Sequence, residues 1–295
     1  MPGLVIYVGT CGYSYKDWVG PFYPPATKPA EMLRYYYARF TAVEIDSSYY
    51  GVPSANTIAS LNKRTPSQFR FSFKAPQTVT HPPDTKASIH EDAQLLTDAV
   101  APIHESGKLA CMLLQFPNGF KRTPTNEQYL LRAIEAFDPL PIVVEFRNVD
   151  WQNDETEQLL RENGVSLCNV DLPHLEGLPH ASSDATGPIG YVRFHGRNAK
   201  MWWKGTNVTR YQYRYTAEEL VPWTDRVAEI DAQVKETYAF FNNHARGNAA
   251  HNAEMFEELL RERFGDMWEE ALAHPPPQER IPEALSLFDD GTNHP

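Results

Sequence analysis

Eight short apolar runs, nearly all followed by a longer amphipathic stretch, constrain this 295-residue chain more than any single motif. The runs occupy residues 4–10, 42–46, 69–74, 108–116, 142–147, 165–171, 189–196 and 237–243. Between them, 29–40, 54–64, 86–103, 125–137, 153–163, 216–234 and 248–264 repeat apolar residues at helical spacing. Pro29, Ser54 and Gly164 stand where a first turn, an N-cap and a helix stop belong. Strand and helix in strict alternation predict a parallel sheet. Eight strands close a barrel, and the length suits one. The predicted fold is therefore a single (β/α)8 TIM barrel.

One helix is missing from the alternation. Residues 172–188 contain three prolines and two glycines, so an irregular segment is expected there in place of a long helix. Residues 198–215 read as a polar, aromatic loop, and the helix at 216–234 should bend or restart at Pro222. An open doubly wound sheet is the competing architecture. It would usually place G-x-G-x-x-G after the first strand, and "GTCGYSYKDW" offers only two glycines. Neither linker nor repeat divides the chain: 1–273 reads as the barrel and 274–295 as a proline-rich C-terminal tail.

Composition narrows the classes. A hydrophobic fraction of 42% supports a large core, and a net charge of −11 argues against a broad basic face for nucleic acid. Cys11, Cys111 and Cys168 fit neither a zinc site nor a disulfide framework, as a reducing compartment permits. No apolar run approaches the ~18 residues of a membrane span, and "MPGLVIYVGT" reads as a strand rather than a signal peptide. The expected location is cytoplasmic.

The chemistry lies at the strand ends. In "VVEFR", Glu145 and Arg147 share one face while Val144 and Phe146 share the other. In a barrel the apolar pair should pack outward on helices. The polar pair should face the C-terminal mouth, where barrel active sites lie. The arrangement recurs as Glu44 with Asp46, Lys74 beyond Ser72, Gln115, Asn169 with Asp171, Arg193 with His195, and Asn242 with His244. Buried charges need partners, so Glu145 should pair with Arg147 or Arg193, and Lys74 should neutralise Glu44 or Asp46. Tyr13, Tyr15, Trp18, Tyr49, Tyr50, Trp151, Trp202 and Trp203 follow strand ends and could either stack on sugars or bases or, Tyr50 and Trp18 above all, pack as a lid over the barrel mouth.

In order, "GTCGYSYKDWVGPFYP", "VEIDSSYYGVP", "FRFSFKAP", "LLQFP", "VVEFRNVDW", "YVRFHGR" and "YAFFNNHARGNAAHNA" make the chain similar to the DUF72 (YecE-like) family over roughly residues 5–260. The resemblance implies a TIM barrel and supplies no reaction. Its motif positions fall on Glu44, Lys74, Gln115, Glu145, Arg147, Arg193, His195, Asn242 and Asn243. Cys11 departs from the pattern and gives no warrant for thiol catalysis.

Three functions compete. The first is an acid–base, hydrolase-like enzyme acting on a polar, anionic sugar- or phosphate-containing ligand. Glu145 would be base or nucleophile, His195 the proton donor and Glu44 a second carboxylate whose separation from Glu145 would suggest retention or inversion. Lys74, Arg147 and Arg193 would bind the anion; Gln115, Asn242 and Asn243 would orient it; Tyr13, Tyr15 and Trp151 would stack on it. The second is a metal-dependent phosphodiesterase or nuclease drawing on Glu44, Glu145, Asp171, His195 and His244. No H-x-H or H-E-x-x-H spacing supports it, so no metal or cofactor is assigned. The third is a non-catalytic binder. A small polar or anionic ligand is the expected partner, nucleic acid stays open, and a membrane is not expected.

Overall fold

A computed structural model describes residues 4–81, 89–265 and 268. Eight strands pair in parallel and in chain order into a closed barrel: β1 Ile6–Cys11, β2 Ala42–Ile45, β3 Arg70–Lys74, β4 Leu109–Phe116, β5 Ile142–Phe146, β6 Ser166–Asp171, β7 Ile189–Phe194 and β8 Glu236–Phe241. The helices are α1 Pro29–Tyr37, α2 Ala55–Arg64, α3 Gln77–Thr80, α4 Ile89–Glu105, α5 Pro124–Glu135, α6 Asp154–Glu162, α7 Asn207–Arg210, α8 Ala217–Asp231 and α9 Asn248–Phe264. This is the (β/α)8 architecture that the alternation implied.

Local chemistry sets several boundaries. Ser54, Thr123 and Asn153 each accept a backbone N–H from the first turn of α2, α5 and α6. Gly164 closes α6 at φ 66°, with Gly164 N–H on Arg161 O and Val165 N–H on Leu160 O. That paired closure needs a left-handed residue, which glycine adopts without strain. Gly9 has a different reason: a Cβ there would lie 2.1 Å from Ala42 O.

Three expectations change in detail. Residues 172–188 hold no helix, as expected, but the short α3, and the short α7 inside the expected loop at 198–215, were not anticipated. The helix predicted from 86 begins at Ile89, its first positions lying outside the described residues. Helix α8 runs through Pro222 without restarting. The tail at 274–295 also lies outside the described residues.

The pleat divides the core in two. Val43, Phe71, Phe73, Met112, Leu114, Val144, Phe146, Val192, Phe194, Ala239 and Phe241 pack outward with the helices. Tyr7, Cys11, Cys111, Leu113, Val143, Tyr191, Tyr238 and Phe240 fill the barrel, together with Cys168 and Val170. These last two overturn an expectation. On β6 the apolar residues face inward, so Asn169 and Asp171 point away from the lumen. Asn169 holds the irregular segment through Ser182 and Asp184. Asp171 accepts from Tyr215 Oη at 2.7 Å, Trp223 Nε1 at 2.8 Å and Arg197 Nη2 at 2.6 Å. Both acceptors gain partners outside the barrel that a lumen position would not supply.

Candidate functional site

Above the apolar filling, β2, β5 and β7 bring charged side chains into one layer. Arg193 donates from Nη1 to Glu145 Oε2 and from Nη2 to Glu44 Oε1, each at 2.5 Å. Arg147 donates to Glu145 Oε1 from the same strand end. His195 Nε2 lies 3.0 Å from that oxygen, while His195 Nδ1 faces Asn242 Nδ2 at 3.0 Å and Arg147 Nη2 at 3.4 Å. A guanidinium can only donate, so Nδ1 accepts and Nε2–H donates to Glu145. The expected pairing of Glu145 is present with both arginines at once. Of the two acids that Lys74 is expected to neutralise, Glu44 is held by Arg193 instead. At Asp46, against burial, the Lys74 charge joins that of Arg193 in keeping the carboxyl below its ordinary value, without a direct ion pair to Lys74.

This layer is a floor. Glu44, Glu145, Arg193 and His195 are at most 1% exposed. Burial would raise the Glu145 carboxyl, but Arg147, Arg193 and His195 hold it well below the usual carboxylate range. Burial and the Arg147 charge lower His195 to about 3, so it is neutral at physiological pH and has no proton to release as an imidazolium. Glu44 goes the other way: burial and the Asp46 carboxylate, against Arg193, push it up to about 7. Tyr191 Oη completes its shell at 2.6 Å. Burial pushes the Cys11 thiol well above its ordinary range.

Cys11, Glu44 and Asp46 bring one potential ligand atom each within 4.8 Å of one another, a spacing that could hold a metal ion. The Arg193 guanidinium already occupies that position: Nη2 is 3.4 Å from both Cys11 Sγ and Asp46 Oδ1. The ligand set considered for a phosphodiesterase disperses. Asp171 faces outward, and His244 stacks on Tyr15 with centroids 4.9 Å apart. The carboxylate pair imagined for a glycosidase also fails, since a guanidinium bridges Glu44 and Glu145.

Over the floor lies a cavity of about 520 Å³ at the C-terminal mouth. Asp46, Lys74, Gln115, Arg147, Asn242, Tyr15 and His244 reach it, joined by Tyr49, Tyr50, Gln77, His81, Asn118, Trp202, Trp203, Arg210 and Tyr211. Its cations lean on aromatic faces. Lys74 Nζ is 4.3 Å from the Tyr49 ring centre, and the Arg147 and Arg210 guanidiniums are each 5.8 Å from the Trp202 ring. Among the described residues neither Lys74 nor Arg210 pairs with a carboxylate. Two titrating groups register the resulting positive field. Burial, then Lys74 and Arg147, lowers His81 to about 4. Burial would raise the Tyr211 hydroxyl, yet Arg147 and Lys74 bring it below its ordinary value.

Residues 7–279 match the family described as Protein of unknown function DUF72. The chain belongs to the DUF72 family. It is 32% identical over 273 residues to the UPF0759 protein YunF of Bacillus subtilis, covering 87% of this chain and 95% of that one. A DUF72 crystal structure from Thermotoga maritima superposes with a TM-score of 0.80 at 38% identity, over 87% of this chain and 99% of the other. A second, from Enterococcus faecalis, gives 0.77 at 30% identity, over 87% and 95%.

The DUF72 motif positions thus divide between two levels. Glu44, Glu145, Arg193 and His195 form the floor, whereas Lys74, Gln115, Arg147 and Asn242 reach the cavity. Asn243 reaches neither: its amide donates to Tyr213 O and Asn252 Oδ1. Two aromatics expected to stack on a ligand are also packed elsewhere. Trp151 is stacked on Phe146 and Phe120 and donates to Phe120 O, and Tyr13 lies against Tyr36. His81, Asn118, Arg210 and Tyr211 escaped sequence reasoning. Arg210 ends the four-residue α7 and the others come from segments without a period, although the basic, aromatic composition of 198–215 marked the stretch carrying Arg210 and Tyr211.

Proposed function

We propose that the mouth of this DUF72 barrel binds a small anionic ligand bearing phosphate or carboxylate, and acts on it by acid–base chemistry. The observation that carries the reading is the excess of cations over carboxylates among the cavity-lining side chains, Lys74, Arg147 and Arg210 against Asp46 alone, in a chain of net charge −11. Arginine offers the planar fork that matches either anion, and Lys74 adds a mobile point charge. Gln77, Gln115, Asn118 and Asn242 would supply the amides that orient a polar ligand.

Asp46 is the carboxylate positioned to exchange a proton with that ligand. It lines the cavity and hydrogen-bonds Glu44. Burial would raise Asp46, but Arg193 and Lys74 keep it below its ordinary value, while Glu44 is pushed up to about 7. Of the pair, Glu44 is therefore the member that protonates first. Asp46, the member that stays ionised, can take a proton from a ligand hydroxyl or an attacking water and return it to the leaving oxygen. Arg193 positions both carboxylates without touching the ligand. Glu145 and His195 become positioning groups for Arg147 and Asn242.

The test has two readings. Inorganic phosphate, phosphosugars and nucleoside monophosphates should raise the melting temperature, and Lys74→Ala with Arg210→Ala should abolish that rise. Chromogenic phosphate esters and glycosides then test turnover. Loss in Asp46→Asn with phosphate binding retained supports acid–base catalysis. A full anion panel without any thermal shift would sink the reading. A binder without turnover is the second reading, favoured by the burial of Glu145 and His195 in the floor, out of reach of the cavity.

A further inference from the structure

The cavity's outer edge is chemically unlike its floor. Tyr50 and Trp203 are 74% and 53% exposed, and both line the mouth. Among the described residues no other aromatic of comparable size is so open. Tyr50 follows β2 and Trp203 follows β7, so two flat faces stand on different edges of one opening. Two large aromatic faces left open at the edge of one cavity offer apolar surface that a ligand could cover.

The segment bearing Trp203 is also basic. Between Asn198 and Arg214 it carries Lys200, Lys204, Arg210 and Arg214, with neither Asp nor Glu, although the chain as a whole is at −11. Lys200, Lys204 and Arg214 are exposed and, among the described residues, pair with no carboxylate. They lie outside the cavity lining, beyond the cations that would hold a single phosphate. A small ligand in the cavity would leave them unused.

We infer that the rim takes single-stranded nucleic acid: one phosphate in the mouth, adjacent bases on Tyr50 and Trp203, and flanking phosphates on Lys200, Lys204 and Arg214. The inference rests on the anion-binding reading of the cavity and extends it to a polymer. Aromatic faces interleaved with cations accept unpaired bases of any sequence, and a duplex hides those faces in its own stack. The surrounding negative charge would confine the contact to this loop.

Fluorescence anisotropy of labelled oligothymidylate and oligouridylate, at low salt, tests the inference. Either strand should bind more tightly than a duplex and than thymidine monophosphate. Trp203→Ala or Tyr50→Ala should weaken strand binding at least about fivefold. The triple change Lys200→Glu, Lys204→Glu, Arg214→Glu should flatten the dependence of log affinity on log salt by about 2, while the thermal shift by inorganic phosphate persists. No strand binding, equal affinity for duplex with Trp203→Ala unaffected, or mononucleotide binding as tight as the strand would each overturn it. Absence of the phosphate shift in the unaltered protein would instead overturn the cavity reading.

Discussion

The floor and the rim of this barrel mouth both carry arginine, acid and histidine, yet they solve opposite problems. On the floor each charge faces its complement: Arg193 spans Glu44 and Glu145, Arg147 caps Glu145, and His195 is locked as one tautomer between Glu145 and Asn242. At the rim, Lys74 and Arg210 rest on aromatic rings and, among the described residues, form no direct ion pair with a carboxylate. A saturated set of buried charges specifies geometry; an unsaturated set at a cavity wall awaits a ligand. On the proposed function, the floor would preorganise Asp46 and Arg147, and the rim would supply recognition.

Mutations separate the two levels by size of effect. Arg193→Met leaves two buried carboxylates facing each other and should cost about 3–5 kcal/mol in urea unfolding; a variant as stable as the parent would break the contrast. Asp171→Ala removes the acceptor shared by Trp223, Tyr215 and Arg197 and should cost about 2–3 kcal/mol. Its phosphate-induced thermal shift should be intact, because β6 turns this acid away from the mouth.

A pH series sharpens the comparison further. Histidine in the unfolded chain titrates near ~6.5, and His195 in the folded protein near about 3. Between those values the unfolded chain holds a proton that the folded one lacks, so this contribution to stability is lost as pH falls. Glu44, pushed up to about 7, has the reverse slope above its unfolded value of ~4.3. The two oppose each other in the parent. His195→Gln should uncover the second, giving stability that declines toward pH 7 by up to ~1.4 kcal/mol per unit relative to the parent. Superimposable profiles would show that His195 does not titrate as the floor requires. The smallest effect on stability belongs to Lys74→Ala, within about 0.5 kcal/mol. The same variant should lose the response to phosphate, which calorimetric titration can follow directly.

Much of this architecture was legible in residue order. Apolar residues at alternate positions in "VVEFR" and "YVRFHG" need one side in a core, and in a closed sheet that leaves Glu145, Arg147, Arg193 and His195 inside. The same argument misplaced Asn169 and Asp171. The parity of "LCNVD" admits either face, and the choice was made by Trp223, Tyr215, Ser182 and Asp184, which are distant or irregularly placed in the chain. Depth was equally hidden. A two-residue period says which way Glu145 points, but how far it lies beneath the opening depends on barrel stagger and on loops such as 198–215. Trp151 misled for a related reason: an indole after a strand suits a stacking face, yet Phe146 on the adjoining outward position offered a nearer partner.

Arg193 stands where a divalent ion could have been held. A guanidinium tethered to β7 cannot be chelated, exchanged for another element or diluted away. The charge balance beneath the opening is therefore set by the chain itself, and travels with the fold wherever the fold forms.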